Sequence, residues 1–243
     1  MGKQFAITFP GQGSQSVGML SDLAAVYPVV RQTFEEASEA VGFDLWSVSQ
    51  NGPKDVLNDT RNTQPALLCA GMSVMRVLQD RLPGPPIVMA GHSLGEYTAL
   101  TAAGVLTLAD AARLVALRGR FMQEAVPVGT GAMAAILGLD TETLDKVCRT
   151  AAQGQVVSPA NFNSAGQVVI AGHAEAVDRA MELAKENGAK RALPLPVSAP
   201  FHCALMQPAA EAMAAYTGSP WFPGGMHTFT APAGDTLIFE LLI

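Results

Sequence analysis

Gly91-His92-Ser93-Leu94-Gly95 follows the apolar run Ile87-Val88-Met89-Ala90 and precedes a helix-like stretch, the setting in which a serine can act as a nucleophile. A strand that turns sharply into a helix holds its serine under strain, and side chains at the flanking glycine positions would collide with neighbouring backbone. Such a turn presents the Ser93 hydroxyl at a helix N-terminus, where the dipole and free N–H groups favour negative charge. The five-residue pattern is weak by itself in a chain with 23 glycines, and its context raises it above a Gly-rich structural turn. A serine hydroxyl also needs a base to take its proton. Among the four histidines, His92 adjoins Ser93 and projects away across the turn, His173 opens a helix, and His227 lies in an anomalous tail. His202, in Ser198-Ala199-Pro200-Phe201-His202-Cys203, stands on a Pro-restricted loop that can hold an imidazole still, and is the candidate base.

Arg118 is a second anomaly. On a helix over residues 108–124 it shares a face with Leu114, Val115, Phe121 and Met122, so a guanidinium sits in an apolar stripe. It requires an anionic partner, either an internal carboxylate or a substrate carboxylate gripped by two nitrogens. Arg113 and Arg120, off that stripe, are expected in solvent. Gly11-Gln12-Gly13-Ser14-Gln15-Ser16 resembles a dinucleotide loop, but Ser16 replaces the last glycine, and Glu35-Glu36 falls in a helical pattern where a strand end is needed. The alternative is that the backbone N–H groups of Gln12 and Leu94 form an oxyanion hole, each donor contributing about 3 kcal/mol to the transition state.

The elements that must position these residues read as α/β. Phe5 to Phe9 and Ile87 to Ala90 are expected as strands buried on both faces of a parallel sheet. Helical periodicity covers residues 29–41, 65–81, 94–104 and 108–124, with Asn62-Thr63-Gln64-Pro65 as a helix start. After Pro127 the order becomes strand 132–137, helix 141–152, strands 156–161 and 167–171, helix 174–187 and strand 191–195. This β-α-β-β-α-β order is ferredoxin-like, and its two ends would lie close enough for insertion into a host domain. The expected division is therefore a large domain of residues 1–127 and 198–243 and a small subdomain of residues 128–197.

Fifteen Lys and Arg against 21 Asp and Glu leave a net charge of −6, which provides no basic surface for nucleic acid. Three cysteines, Cys69, Cys148 and Cys203, fit a reducing cytosol better than a disulfide framework. The N-terminal residues show no signal peptide, and charges interrupt both of the most apolar stretches, so a cytoplasmic protein without membrane contact is expected.

Taken together, Phe9-Pro10-Gly11-Gln12-Gly13-Ser14-Gln15, Asn62-Thr63-Gln64-Pro65, Gly91-His92-Ser93-Leu94-Gly95-Glu96, Arg118-Gly119-Arg120, Asn161 and Ser198-Ala199-Pro200-Phe201-His202 resemble the malonyl-CoA:acyl carrier protein transacylase family. The resemblance covers roughly the first 210 residues, and several motifs in the right order are more specific than any one. It implies an α/β-hydrolase-like large domain with a ferredoxin-like small one. It further implies Ser93 as nucleophile, His202 as general base and acid, Gln12 and Leu94 as oxyanion donors, and Arg118 as the clamp on the malonyl carboxylate. Gln64, Met122 and Asn161 would line the pocket, and Phe201 would resemble the malonyl-selecting version. The implied cycle needs no cofactor: Ser93 takes malonyl from malonyl-CoA, and the phosphopantetheine thiol of acyl carrier protein collects it.

Members of the family usually continue further, with an Asn-Val-containing strand and a Gln whose carbonyl orients the catalytic imidazole. Neither is recognisable after Glu211, so the C-terminal part is expected to be atypical from about residue 212, reading as a truncated or altered end from Tyr216. The alternatives are a serine esterase or thioesterase, or an inactive truncated member of the family. Lys185, Lys190 and Arg191 are candidates for docking an acidic carrier, or else a solvated helix end.

Overall fold

The computed structural model describes residues 4–217, 226–230 and 236–240. Within the first of these stretches, residues up to Arg120 form one compact unit and residues from Phe121 a second.

The first unit begins with β1 (Ala6–Phe9), then α1 (Ser21–Val26), α2 (Val29–Val41), α3 (Leu45–Asn51), α4 (Lys54–Asn58) and α5 (Thr60–Leu78). It continues through β2 (Val88–Gly91) and α6 (Leu94–Ala102) into α7 (Leu108–Glu124). Strands β1 and β2 pair in parallel, from Ala6 opposite Val88 to Phe9 opposite Gly91. The expectation that both faces are buried is corrected. Exposure alternates along the two strands, and Ile87 and Val88 remain 61% and 44% exposed, because the described residues cover only the face carrying Ile7, Phe9 and Met89. Val30, Phe34 and Ala37, at helical spacing on α2, are fully buried, and α2 packs on α5.

The start of α5 also differs from expectation. Asp59 is its N-cap, with the carboxylate accepting from Arg61 N at 3.0 Å and from Arg61 Nε at 2.9 Å, so the helix opens five residues before Pro65. Pro65 thus lies inside the helix as its sixth residue, past the N–H groups that lack intrahelical acceptors, and supplies no N–H for the usual i→i−4 bond to the Arg61 carbonyl. The side-chain hydrogen bond from Arg61 holds the Asp59 carboxyl below the usual aspartate range. Asp59→Ala is therefore expected to lower the urea-unfolding free energy by about 1 kcal/mol at neutral pH. The depressed folded-state pKa makes this contribution fade as the pH falls through it, so the two proteins should converge in acid; a gap unchanged there would contradict the assignment.

The second unit contains the last turn of α7, followed by β3 (Gly131–Leu137), α8 (Thr141–Ala152), β4 (Val157–Ser164), β5 (Gln167–His173), α9 (Ala174–Glu186) and β6 (Arg191–Pro194). A 3-10 turn, Ala204–Met206, leads into α10 (Gln207–Thr217). The four strands form an antiparallel sheet in the order β4-β5-β3-β6. One face of the sheet, with Ala134, Ile136, Val168 and Ile170, packs on Leu144, Val147 and Cys148 of α8 and Val177 and Ala180 of α9. The opposite face, with Met133, Ala135, Val169 and Ala171, packs on Met122, Val126, Phe201 and Met206. Burial on both faces explains why β3 and β5 read as unbroken apolar runs.

Of the segment expected to be atypical, the described residues include β7 (Met226–Thr230) paired antiparallel with β8 (Thr236–Glu240). The other residues of that segment from Thr217 onward, 218–225, 231–235 and 241–243, lie outside the described residues.

Candidate active site

Ser93 is the second of the two residues between β2 and α6 and caps the helix, with φ 54° and ψ −106°. Few non-glycine residues adopt such a conformation, which costs on the order of 1–3 kcal/mol. Packing enforces it. A Cβ on Gly91 would lie 1.8 Å from the carbonyl carbon of Gly95, and one on Gly95 would lie 2.2 Å from the Phe9 carbonyl oxygen. The elbow is thereby pressed against the end of β1, and His92 N donates to Phe9 O at 3.0 Å. A Cβ on Gly11 would sit 2.6 Å from His92 Nδ1, which places the Gly11-Gln12 loop against the same turn. Leu94 is the first residue of α6, where the backbone N–H groups lack acceptors from within the helix.

Arg118 of α7 is fully buried. Its Nη2 donates to Ser93 Oγ at 3.1 Å and its Nη1 donates to Gln64 Oε1 at 2.9 Å. The guanidinium carbon lies 5.5 Å from the centre of the Tyr97 ring, one helical turn beyond Ser93. Burial lowers the Arg118 pKa and raises that of the Tyr97 hydroxyl to about 12. Gln64 is also fully buried and donates through Nε2 to Thr60 Oγ1 at 3.2 Å, while Thr60 Oγ1 donates to Gln12 Oε1 at 2.7 Å. Gly119 lets α7 approach the first turn of α5 closely, since a Cβ there would meet the Thr60 carbonyl oxygen at 2.5 Å. Arg113 and Arg120 are exposed, as their place off the apolar stripe required.

The remaining predicted residues belong to the second unit. His202 is half-buried and has φ 59°, making it, with Ser93, one of four non-glycine residues of positive φ among those described. Its loop is held from several sides. Phe201 is packed in the cluster with Met122 and Met206, Cys203 Sγ donates to Pro200 O at 3.1 Å, and a Cβ on Gly131 would meet the Pro200 ring at 2.3 Å. Asn161 lies on β4 opposite Val169 at a break in register, and such bulges re-aim side chains. Lys190 and Arg191 are exposed or nearly so, and Lys185 is paired with Glu182 at 2.7 Å.

His173 serves the fold of its own unit, where its Nδ1 accepts from Val156 N at 2.9 Å and joins the starts of α9 and β4. The His227 side chain lies outside what is described. Sequence reasoning did not single out Thr60 or Tyr97. Their signal was i, i+4 spacing, Thr60 with Gln64 and Ser93 with Tyr97, which places each pair on one helical face. Among the described residues no cluster of three or more His, Cys, Asp or Glu side chains could hold a metal ion, and no helix is long and apolar enough to cross a membrane.

The acyl transferase domain family matches residues 7–227. A malonyl CoA-acyl carrier protein transacylase of Escherichia coli K12 is 64% identical over 211 residues, covering 87% of this chain and 68% of the relative. The relative of the same name from Bacillus subtilis is 50% identical over 209 residues, covering 86% of this chain and 66% of its own length. Among solved structures, the malonyl CoA-acyl carrier protein transacylase of Coxiella burnetii superposes with a TM-score of 0.87 at 53% identity, over 88% of this chain and 68% of the other. A malonyl-transacylase in complex with its type II PKS acyl-carrier protein gives 0.87 at 59% identity, over 89% and 70%. The elbow serine with its buried guanidinium and the extent of these matches lead to one assignment: the chain belongs to the malonyl CoA-acyl carrier protein transacylase family of acyl transferases.

Proposed function

We infer that this protein transfers a malonyl group from malonyl-CoA to the phosphopantetheine thiol of acyl carrier protein through a malonyl ester on Ser93. The observation that carries this reading is the 3.1 Å contact from the fully buried Arg118 guanidinium to Ser93 Oγ. In a malonyl ester the distal carboxylate is separated from Oγ by only a carbonyl carbon and a methylene, so it falls within reach of that guanidinium. Burial disfavours the charge on Arg118, and an arriving carboxylate offsets that cost. A thioesterase or esterase acting on neutral acyl groups leaves this buried cation unused.

In the proposed cycle His202 takes the Ser93 proton as Oγ attacks the thioester carbonyl, and the N–H groups of Gln12 and Leu94 stabilise the resulting oxyanion. The intermediate collapses and expels the coenzyme A thiolate, which receives the proton from His202. The carrier's thiol then attacks the Ser93 ester in the same way, and Oγ regains its proton. Ser93 and His202 belong to different compact units, and their pairing rests on the motif resemblance. Met122, Asn161 and Phe201 are assigned to the acyl site, Phe201 excluding a 2-methyl branch. The strand order β4-β5-β3-β6 supports the ferredoxin-like reading of residues 128–197. The parallel β1–β2 pair and the elbow support the hydrolase-like reading of the large domain, residues 1–127 and 198–243. A reducing, cytoplasmic setting suits the three free cysteines.

The test compares malonyl and acetyl transfer. Arg118→Ala should lower malonyl transfer roughly a hundredfold while reducing acetyl transfer far less, because acetyl carries no carboxylate. Equal losses for both acyl groups would assign Arg118 a structural role and remove the basis for malonyl selection.

A further inference from the structure

We propose that Thr60 is a positioning residue that fixes the orientation of the Gln64 amide and, through it, the guanidinium of Arg118. The proposal rests on the acyl-transfer reading above and deepens it. Four hydrogen bonds form one line: Thr60 Oγ1 to Gln12 Oε1 at 2.7 Å, Gln64 Nε2 to Thr60 Oγ1 at 3.2 Å, Arg118 Nη1 to Gln64 Oε1 at 2.9 Å and Arg118 Nη2 to Ser93 Oγ at 3.1 Å. Thr60, Gln64 and Arg118 are all fully buried.

The direction of this line is dictated from one end. A guanidinium can only donate, so Gln64 must turn its oxygen toward Arg118 and its amino group toward Thr60. The Thr60 hydroxyl, accepting from that amino group, must send its single proton onward to Gln12 Oε1. One hydroxyl thus holds the amino side of the amide whose oxygen holds the carboxylate clamp, and also anchors the side chain of a proposed oxyanion residue, 48 positions away in sequence. Without that hydroxyl the Gln64 amino group loses the acceptor that Thr60 supplies, and the amide is held less firmly. That slack passes to the guanidinium and loosens its approach to Ser93 Oγ. Thr60 touches neither substrate nor reacting atoms in this role, which is exerted through Gln64 and Gln12.

The experiment compares Thr60→Val, which keeps the branched shape and removes the hydroxyl, with Thr60→Ser, which keeps the hydroxyl. Kinetics with malonyl-CoA and acetyl-CoA are read alongside the 15N-labelled side-chain amide signals of Gln64. Thr60→Val should lower the ratio of malonyl to acetyl kcat/KM roughly tenfold and shift the Gln64 amide pair, whereas Thr60→Ser should restore both. The proposal is overturned if Thr60→Val leaves the ratio and the amide signals unchanged, or if Thr60→Ser is as impaired as Thr60→Val. Should the wild-type chain fail to transfer malonyl, the acyl-transfer reading falls, and the Gln64 amide signals of the two variants still decide whether Thr60 orients that side chain.

Discussion

Ser93→Ala is expected to leave no acyl adduct on the protein after incubation with malonyl-CoA and to lower transfer to the carrier thiol by on the order of 10⁴-fold or more. The expectation follows from the elbow: Ser93 is forced to φ 54° between two glycines that admit no side chain, and its Oγ accepts from a buried guanidinium. Intact-protein mass spectrometry reads the adduct, and peptide mapping gives its position. Groups that act as one unit are strongly non-additive, so His202→Ala should be nearly as damaging, and the double variant little worse than either single one. An undiminished adduct in Ser93→Ala would place the nucleophile elsewhere and dismantle the mechanism.

Gly91→Ala should cost more stability than any other change considered, on the order of 4 kcal/mol or more. The three atoms nearest its added methyl are all backbone: the Gly95 carbonyl carbon at 1.8 Å, Glu96 N at 2.1 Å and Gly95 O at 2.1 Å. No side chain can move aside to relieve those contacts. Gly154→Ala is the matched comparison, because Gly154 has φ 86° but nothing within 4 Å of an added Cβ, so only the backbone penalty of about 1–2 kcal/mol applies. Urea denaturation of the two variants against wild type measures the difference. Comparable, small losses in both would show that the elbow has room to spare.

Much of this arrangement was legible from residue order because its signals are local. The elbow declares itself through two glycines around a serine after an apolar run, and Arg118 through a charge on an apolar helical stripe. The helices at 29–41, 108–124 and 141–152 carry enough turns for their period to be counted, and they occur at those bounds. What escaped was short, weakly patterned or distant. Helices α1, α3 and α4 have 6, 7 and 5 residues, too few to establish a period. Helix α10 is rich in alanine, which leaves little contrast between its faces. The start of α5 was misplaced because Pro65 resembles a first-turn proline, while the Asp59 cap lies further back. Burial of β1 and β2 was overestimated because apolar runs say nothing about how many strands flank them. Thr60 was missed because its i, i+4 spacing to Gln64 is ordinary on a helix, and its bond to Gln12 comes from 48 positions away.

The loop that carries His202 also bears on chemical fidelity. Cys203 is its immediate neighbour, and a protein whose cargo travels as a thioester risks losing that cargo to any thiolate of its own. Burial raises the Cys203 pKa, and its Sγ–H is directed to the Pro200 carbonyl at 3.1 Å, so the sulfur is kept protonated and turned inward. Cys148, pushed up to about 12, and the fully buried Cys69 are likewise silent. The chain therefore offers its passenger no unproductive sulfur on which to strand.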